Sequence, residues 1–70
     1  MAAEEIERLV LTTVSKAPPR GFTRDEIAEK TGLTRQTVSK YVYALAKNKE
    51  LGTEMVGGLL LVFPIKGGDL

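Results

Sequence analysis

The chain has 70 residues, with ten lysines and arginines against nine acidic residues, a formal net charge of +1, and neither cysteine nor histidine. That length predicts one small domain, whose core alone supplies only about 3–5 kcal/mol of net stability unless something reinforces it. The composition excludes disulfides and removes the usual ligands of a structural zinc site, which leaves dimerisation or close packing as the reinforcement.

The first helix is predicted over residues 3–16. Its inward-facing positions recur at helical spacing, and they are Ile6, Leu9, Val10, Thr13 and Val14. Leu11 falls outside that stripe, which leaves two interpretations open, an isolated exposed leucine or part of a subunit contact. The acidic, amphipathic start lacks the basic-then-apolar pattern of an export signal, and the longest apolar run is too short to span a bilayer. We therefore expect a soluble, cytoplasmic protein.

Consecutive prolines end the first helix, because proline cannot continue an α-helix. Thr23 follows as a candidate N-cap, and Glu26 stands three residues later, where it can close a capping box. Gly32 supplies a residue that adopts the left-handed conformation at low steric cost. These signals predict a second helix of about two turns, over residues 24–31.

The third helix is predicted over residues 34–48, with Thr34 placed to cap it. Its apolar stripe consists of Val38, Tyr41, Val42 and Leu45. The opposite side is polar and basic, and no acidic residue occurs between Thr34 and Lys49. Such a face is typical of a nucleic-acid footprint and also of an ordinary solvated helix, so the charge by itself leaves both interpretations open.

After the third helix the pattern changes to that of strands. Residues 51–56 and 59–63, joined by two glycines, predict a β-hairpin with a two-residue turn. We expect its packing face to consist of Leu51, Met55, Leu59, Leu61 and Phe63. Leu60 and Val62 would then need cover from the first helix, from a partner protein or from a second copy of the chain, and we favour a homodimer. Residues 67–70 are predicted to be a short tail.

Part of the chain resembles a known family. The residues that match the helix-turn-helix signature are Ile27, Ala28, Gly32, Leu33, Val38 and Tyr41. The run from Thr34 to Lys40 is similar to the recognition-helix start of many bacterial and archaeal winged helix-turn-helix regulators. The resemblance implies an α+β fold over residues 1–66, in which a three-helix bundle with a helix-turn-helix precedes a two-stranded β-hairpin wing. It also implies a short first strand at Arg20 to Phe22.

The resemblance implies a small transcriptional regulator that binds double-stranded DNA sequence-specifically, with the third helix in the major groove. Arg35 suits bidentate contact with guanine and Gln36 with adenine, while Lys40 is a candidate for either a base or a phosphate. The predicted DNA-contacting residues are Thr23, Arg24, Thr34, Arg35, Gln36, Ser39, Lys40, Tyr43 and Lys47. The hairpin carries glycines at its tip and Glu54 as its one charge, so we do not expect it to enter the minor groove.

The sequence leaves two other functions open. A winged helix can serve as a protein-protein interaction module of a replication or transcription assembly, and it can also bind RNA. An enzyme is not expected, since the chain has no histidine or cysteine and no phosphate-binding glycine motif. We likewise expect no cofactor, no metal and no small-molecule effector domain.

Overall fold

The computed structural model describes residues 2–65 and contains three helices and a three-stranded antiparallel sheet. The elements in chain order are α1 (Ala3–Ser15), β1 (Phe22–Thr23), α2 (Arg24–Thr31), α3 (Arg35–Lys47), β2 (Leu51–Val56) and β3 (Leu59–Pro64). The predicted α+β fold is confirmed, and its layout is consistent with a helix-turn-helix followed by a β-hairpin wing. The tail predicted at 67–70 lies outside the described residues. Within residues 2–65, no helix combines the length and the apolar character needed to cross a membrane.

The first helix packs more of its surface than its sequence pattern indicates. It begins where the amide of Ala2 donates to the Glu5 carboxylate at 2.9 Å, and it buries Val10 and Val14 completely. Leu11 is half-buried and packs against the core, so it is not an isolated exposed leucine, whereas its part in a subunit contact stays a prediction. The reason is that α1 contacts α2, α3 and β3 together, which covers a wider arc than one apolar stripe.

The second helix begins and ends at the residues that its local signals predict. The amide of Glu26 donates to the Thr23 hydroxyl at 3.2 Å, and the amide of Thr23 donates to the Glu26 carboxylate at 2.8 Å. This reciprocal pair is the predicted capping box. Gly32 ends the helix in the left-handed conformation, with φ of 77°.

The third helix is capped by Thr34, whose hydroxyl accepts from the amide of Thr37 at 3.2 Å. Its fully buried side chains are Val38, Val42 and Leu45. The helix ends at Lys47, and Lys49 then adopts a φ of 63°, which is uncommon for any residue other than glycine. This left-handed residue turns the chain from α3 towards β2.

The sheet has the order β1-β3-β2, so β3 is its central strand. β2 and β3 pair through the predicted two-residue turn, with Val56 opposite Leu59. Gly57 and Gly58 have positive φ angles of 55° and 85°, which match the mirror-image turns that two-residue hairpins prefer. The hairpin β2–β3 is therefore confirmed, including its turn.

The face of the hairpin that packs on the helices differs from the prediction. Val62 is completely buried, whereas Met55 and Leu59 are 63% and 59% exposed. Because successive side chains of a strand point to opposite faces, Leu61 and Phe63 lie on the face away from Val62. The predicted inward face is therefore wrong for β3, and the chain's own core covers Val62 without a second copy.

The first strand lies slightly later in the chain than the resemblance implies. It occupies Phe22–Thr23 instead of Arg20 to Phe22, because the amide of Gly21 donates to the carbonyl of Pro18 at 2.8 Å and holds the preceding residues in a turn. Gly21 has φ of 89°, and a β-carbon there would lie 2.5 Å from the carbonyl oxygen of Val62. Glycine alone permits this approach of β1 to β3.

Side chains from all three helices and all three strands meet in one hydrophobic core. Its buried members are Val10, Val14, Phe22, Ile27, Val38, Val42, Leu45, Leu51 and Val62. Since α3 contributes three of them from one side of the helix, its other side is left to solvent. That outer side carries most of the predicted DNA-contacting residues.

Candidate nucleic-acid interface

The outer face of α3 is exposed where the sequence predicts. Gln36, Lys40, Tyr43 and Lys47 are all exposed, and Tyr43 reaches 80% of its full accessible surface. Ser39, beside them, is half-buried. An aromatic side chain that is exposed to this extent contributes little to the core, so its surface is free for contact with another molecule.

An open groove of about 1000 Å³ lies between this face and the hairpin. Six of the nine predicted residues line it, and they are Arg24, Gln36, Ser39, Lys40, Tyr43 and Lys47. Arg24 reaches the groove from the start of α2, because the helix-turn-helix places that end of α2 against α3. The fold therefore brings residues that are up to 23 positions apart to one surface.

The hairpin supplies the other wall of the groove, which the sequence prediction did not include. Thr53, Met55 and Leu60 line this wall. Met55 lies opposite Leu60 in the register, so the two side chains share a face. The two-residue turn is the signal that pairs these side chains, since joining Val56 to Leu59 places the odd positions of β2 beside the even positions of β3. It does not indicate which of the two faces lines the groove.

The groove carries positive charge. Arg24, Lys40 and Lys47 line it, and among the described residues none of those that line it is acidic. The hairpin's own carboxylate, Glu54, pairs with Leu61 in the register and so lies on the face away from the groove. The first turn of α3 also lacks an acidic residue, so no carboxylate of α3 itself offsets the positive end of its helix dipole. These charges together favour an anionic ligand.

Two predicted contact residues serve as caps and lie outside the groove. The amide and hydroxyl of Thr23 are both engaged with Glu26, which leaves its amide unavailable to a phosphate. The Thr34 hydroxyl accepts from the Thr37 amide and donates to the Thr37 hydroxyl at 2.9 Å. Both threonines thus position the first turns of α2 and α3, in which the other candidates lie.

Arg35, the remaining candidate, stands at the start of α3 beside the groove. Its Nε lies 3.2 Å from Oδ1 of Asp25, and both side chains are mostly exposed. One residue earlier in α2, Arg24 Nη1 donates to the hydroxyl of Ser39 at 3.3 Å. Neither interaction between α2 and α3 is visible in the sequence pattern, because both join residues of different helices.

A second ion pair holds the loop that precedes α2. Arg20 Nη2 lies 3.2 Å from Glu26 Oε2, and Glu26 also accepts from the amide of Thr23. The hydrogen bond from Arg20, followed by the one from Thr23, holds the pKa of Glu26 below its ordinary value. Glu26 therefore remains a carboxylate at neutral pH and keeps the start of α2 in place.

Within residues 2–65, no three potential metal-ligating side chains are grouped closely enough to hold an ion. One wall of the groove carries three cations and the Gln36 amide, and the other carries Met55, Leu60 and Thr53. Comparison of the chain with protein-family models, with curated proteins and with solved structures gives no match.

Proposed function

We propose that this protein binds double-stranded DNA sequence-specifically, as a small transcriptional regulator of the winged helix-turn-helix family. The observation that carries the proposal is the groove beside α3, which is lined by Arg24, Lys40 and Lys47 and by no carboxylate among the described residues. A duplex presents a dense row of phosphates, so a local cluster of exposed cations is the feature that binding requires first.

In this proposal α3 enters the major groove with its N-terminal half towards the bases. Gln36 suits adenine, and Arg35 suits guanine, because their planar amide and guanidinium groups match the donors and acceptors of those base edges. Lys40 and Lys47 contact phosphates, since a flexible ammonium group binds as a point charge. Tyr43 contacts the sugar-phosphate backbone or a base edge from the middle of the helix. We assign no catalytic role to the groove, and we place the protein in the cytoplasm, where bacterial and archaeal DNA lies.

A protein-protein interaction module is the second candidate, and the tip of the hairpin favours it. Met55, Val56 and Leu59 are 63%, 49% and 59% exposed, which gives the tip an apolar surface on both faces. We also propose that the protein forms a homodimer. Its contact would use Met55, Val56 and Leu59 and not Leu60 and Val62, which the sequence suggested. The basic groove favours DNA over this alternative, because charged residues are depleted in the core of protein-protein interfaces and three cations line the adjoining wall.

The experiment is a fluorescence-anisotropy titration of a labelled duplex of random sequence at low and moderate salt. The wild type is compared with a Lys40→Ala, Lys47→Ala variant and with an Arg8→Ala, Lys16→Ala variant as the matched control. The control removes the same charge from exposed positions on and next to α1, which lie outside the groove. A single-stranded RNA of equal length tests the RNA alternative.

We expect the wild type to bind the duplex with an affinity that falls steeply with salt. The groove variant should bind more weakly and reduce the slope of log K against log salt by roughly 1–2, since each phosphate contact contributes about 0.9. Binding that does not depend on salt, or an equal loss in the control variant, would contradict the proposal. Tighter binding to RNA than to the duplex would also contradict it.

A further inference from the structure

The first turn of α2 contacts α3 at two positions that are one helical turn apart. Arg24 donates to Ser39 at 3.3 Å, and Asp25 lies 3.2 Å from Arg35. Arg35 and Ser39 are separated by four residues, so they are neighbours on one face of α3. Two consecutive residues of α2 therefore engage two neighbouring candidates for base contact.

The ion pair with Asp25 uses a particular part of the Arg35 side chain. The closest approach is made by Nε, at the inner end of the guanidinium group, and the arginine side chain remains 60% exposed. This leaves the outer nitrogens, Nη1 and Nη2, for a ligand. Guanine presents O6 and N7 side by side in the major groove, and two parallel donors of one guanidinium match them.

A carboxylate in this place has two opposite effects on DNA binding. Its negative charge repels phosphates, which weakens binding to every sequence by a similar factor. Its attraction for Nε restricts the rotamers of Arg35 before DNA arrives, which reduces the ordering cost of a directional contact. The first effect does not depend on the base sequence and the second does, so the two can be separated by experiment.

We infer that Asp25 is a positioning residue for guanine readout by Arg35. This inference rests on the proposed function, in which Arg35 is the base-reading cation. Asp25 lowers the overall affinity for DNA and raises the discrimination between a guanine and another base at one position of the site. Lys40 contacts phosphate.

The test begins with selection of duplexes by the wild type from a library with a randomised centre. The dissociation constants are then measured for the selected duplex and for the same duplex with each selected G·C pair exchanged for A·T. The ratio of the two constants is the discrimination at that position. The proteins compared are the wild type, Asp25→Asn, Arg35→Ala, the double variant of those two, and Lys40→Ala. Glu29→Gln, alone and combined with Arg35→Ala, is the control. Glu29 is an exposed carboxylate of the same helix, so the control makes the same change in charge.

We expect Arg35→Ala to remove a discrimination of about 5- to 100-fold at one G·C position. Asp25→Asn should reduce the discrimination at that same position by about 3- to 10-fold, which corresponds to the entropic cost of ordering one long side chain. It should also bind random duplex more tightly than the wild type does. In the Arg35→Ala background, Asp25→Asn should leave the discrimination unchanged. Glu29→Gln should tighten random binding without changing the ratio in any background.

Three results would overturn the inference. In the first, Asp25→Asn tightens binding to all duplexes equally, as Glu29→Gln does, which would assign Asp25 a purely electrostatic effect. In the second, Asp25→Asn lowers the discrimination equally with and without Arg35, which would assign it a structural role. In the third, discrimination for guanine survives Arg35→Ala and is lost in Lys40→Ala. All three differ from failure of the proposed function, in which the wild type itself selects no duplex.

Discussion

The two walls of the groove differ in chemistry although they belong to one small domain. The α3 wall carries Lys40, Lys47 and the exposed ring of Tyr43, whereas the hairpin wall presents Met55 and Leu60. No lysine or arginine occurs between residues 51 and 64. Positive charge in the groove therefore comes from the helices, and the hairpin wall adds the apolar side chains of Met55 and Leu60 and the hydroxyl of Thr53.

The difference follows from how each wall is held in place. α3 is anchored by a buried stripe on its other side, so its outer positions are free to be charged without cost to the core. β3 is the central strand and buries Val62 completely, yet its neighbours at the tip remain exposed and apolar. The tip of the hairpin is therefore an exposed apolar surface, whereas the outer face of α3 is an exposed charged one.

Gly21 lies at the junction that holds the hairpin to the helices, and its replacement should lower the stability most. In Gly21→Ala the new β-carbon would meet the carbonyl oxygen of Val62 while φ stays positive. The left-handed conformation costs about 1–2 kcal/mol and the overpacking about 1–3 kcal/mol. We therefore expect the free energy of unfolding, measured by urea denaturation, to fall by about 2–5 kcal/mol.

Gly32→Ala is the matched control for that change. Gly32 also has a positive φ, of 77°, but a β-carbon there would meet nothing within 4 Å. Only the conformational cost of about 1–2 kcal/mol applies. Equal losses in the two variants would show that β1 and β3 can move apart without penalty, and that the junction does not hold the two walls together.

The next effect sharpens the assignment of the two faces of β3. Val62→Ala removes two methyl groups from a completely buried side chain and should lower the free energy of unfolding by about 1–3 kcal/mol. Leu59→Ala removes more carbon from a side chain that is 59% exposed, and should cost less than about 0.5 kcal/mol. Thermal and urea denaturation of both variants would measure the contrast, and a reversed order would restore the inward face predicted from the sequence.

The smallest effect concerns the helical region alone and depends on pH. Because Arg20 and Thr23 lower the pKa of Glu26 in the folded state, the stabilisation is complete above the unfolded-state pKa of about 4.3. It disappears as the pH falls through the lower, folded-state pKa. Glu26→Gln keeps a side chain that can close the capping box but removes the charge.

We therefore expect the difference in unfolding free energy between wild type and Glu26→Gln to be about 0.2–1 kcal/mol near neutral pH, the range for a partly exposed ion pair. The difference should vanish in strong acid. Circular dichroism at a series of pH values measures it. A difference that persists unchanged below pH about 3 would assign the effect to packing and not to the charge.

The local features of the fold were predictable from the sequence. The caps at Thr23 and Thr34 and the left-handed Gly32 depend on residues within one helical turn, so a short stretch of sequence specifies them. The exposed positions of α3 follow from its apolar stripe in the same way. The left-handed Lys49 was not predictable, because lysine gives no signal for that conformation.

Most of the candidate site was predictable as well, but its second wall was not. The apolar run of β3 shows no alternation, so hydrophobicity does not distinguish the inward from the outward face. The predicted turn defines the register, and the register places Met55 beside Leu60. It does not specify which of the two faces packs on the helices. That choice depends on β1, which approaches β3 through Gly21 and places Phe22 opposite Val62.

The three helices, the caps of α2 and α3, the hairpin turn and the charge of the α3 face therefore follow from short stretches of sequence. The buried face of the hairpin and the contacts of α2 with Arg35 and Ser39 are visible only in the folded chain. Those outcomes depend on how separate elements pack against one another. An apolar stripe shows which side of a helix is buried, but it does not show which residues of another element it meets.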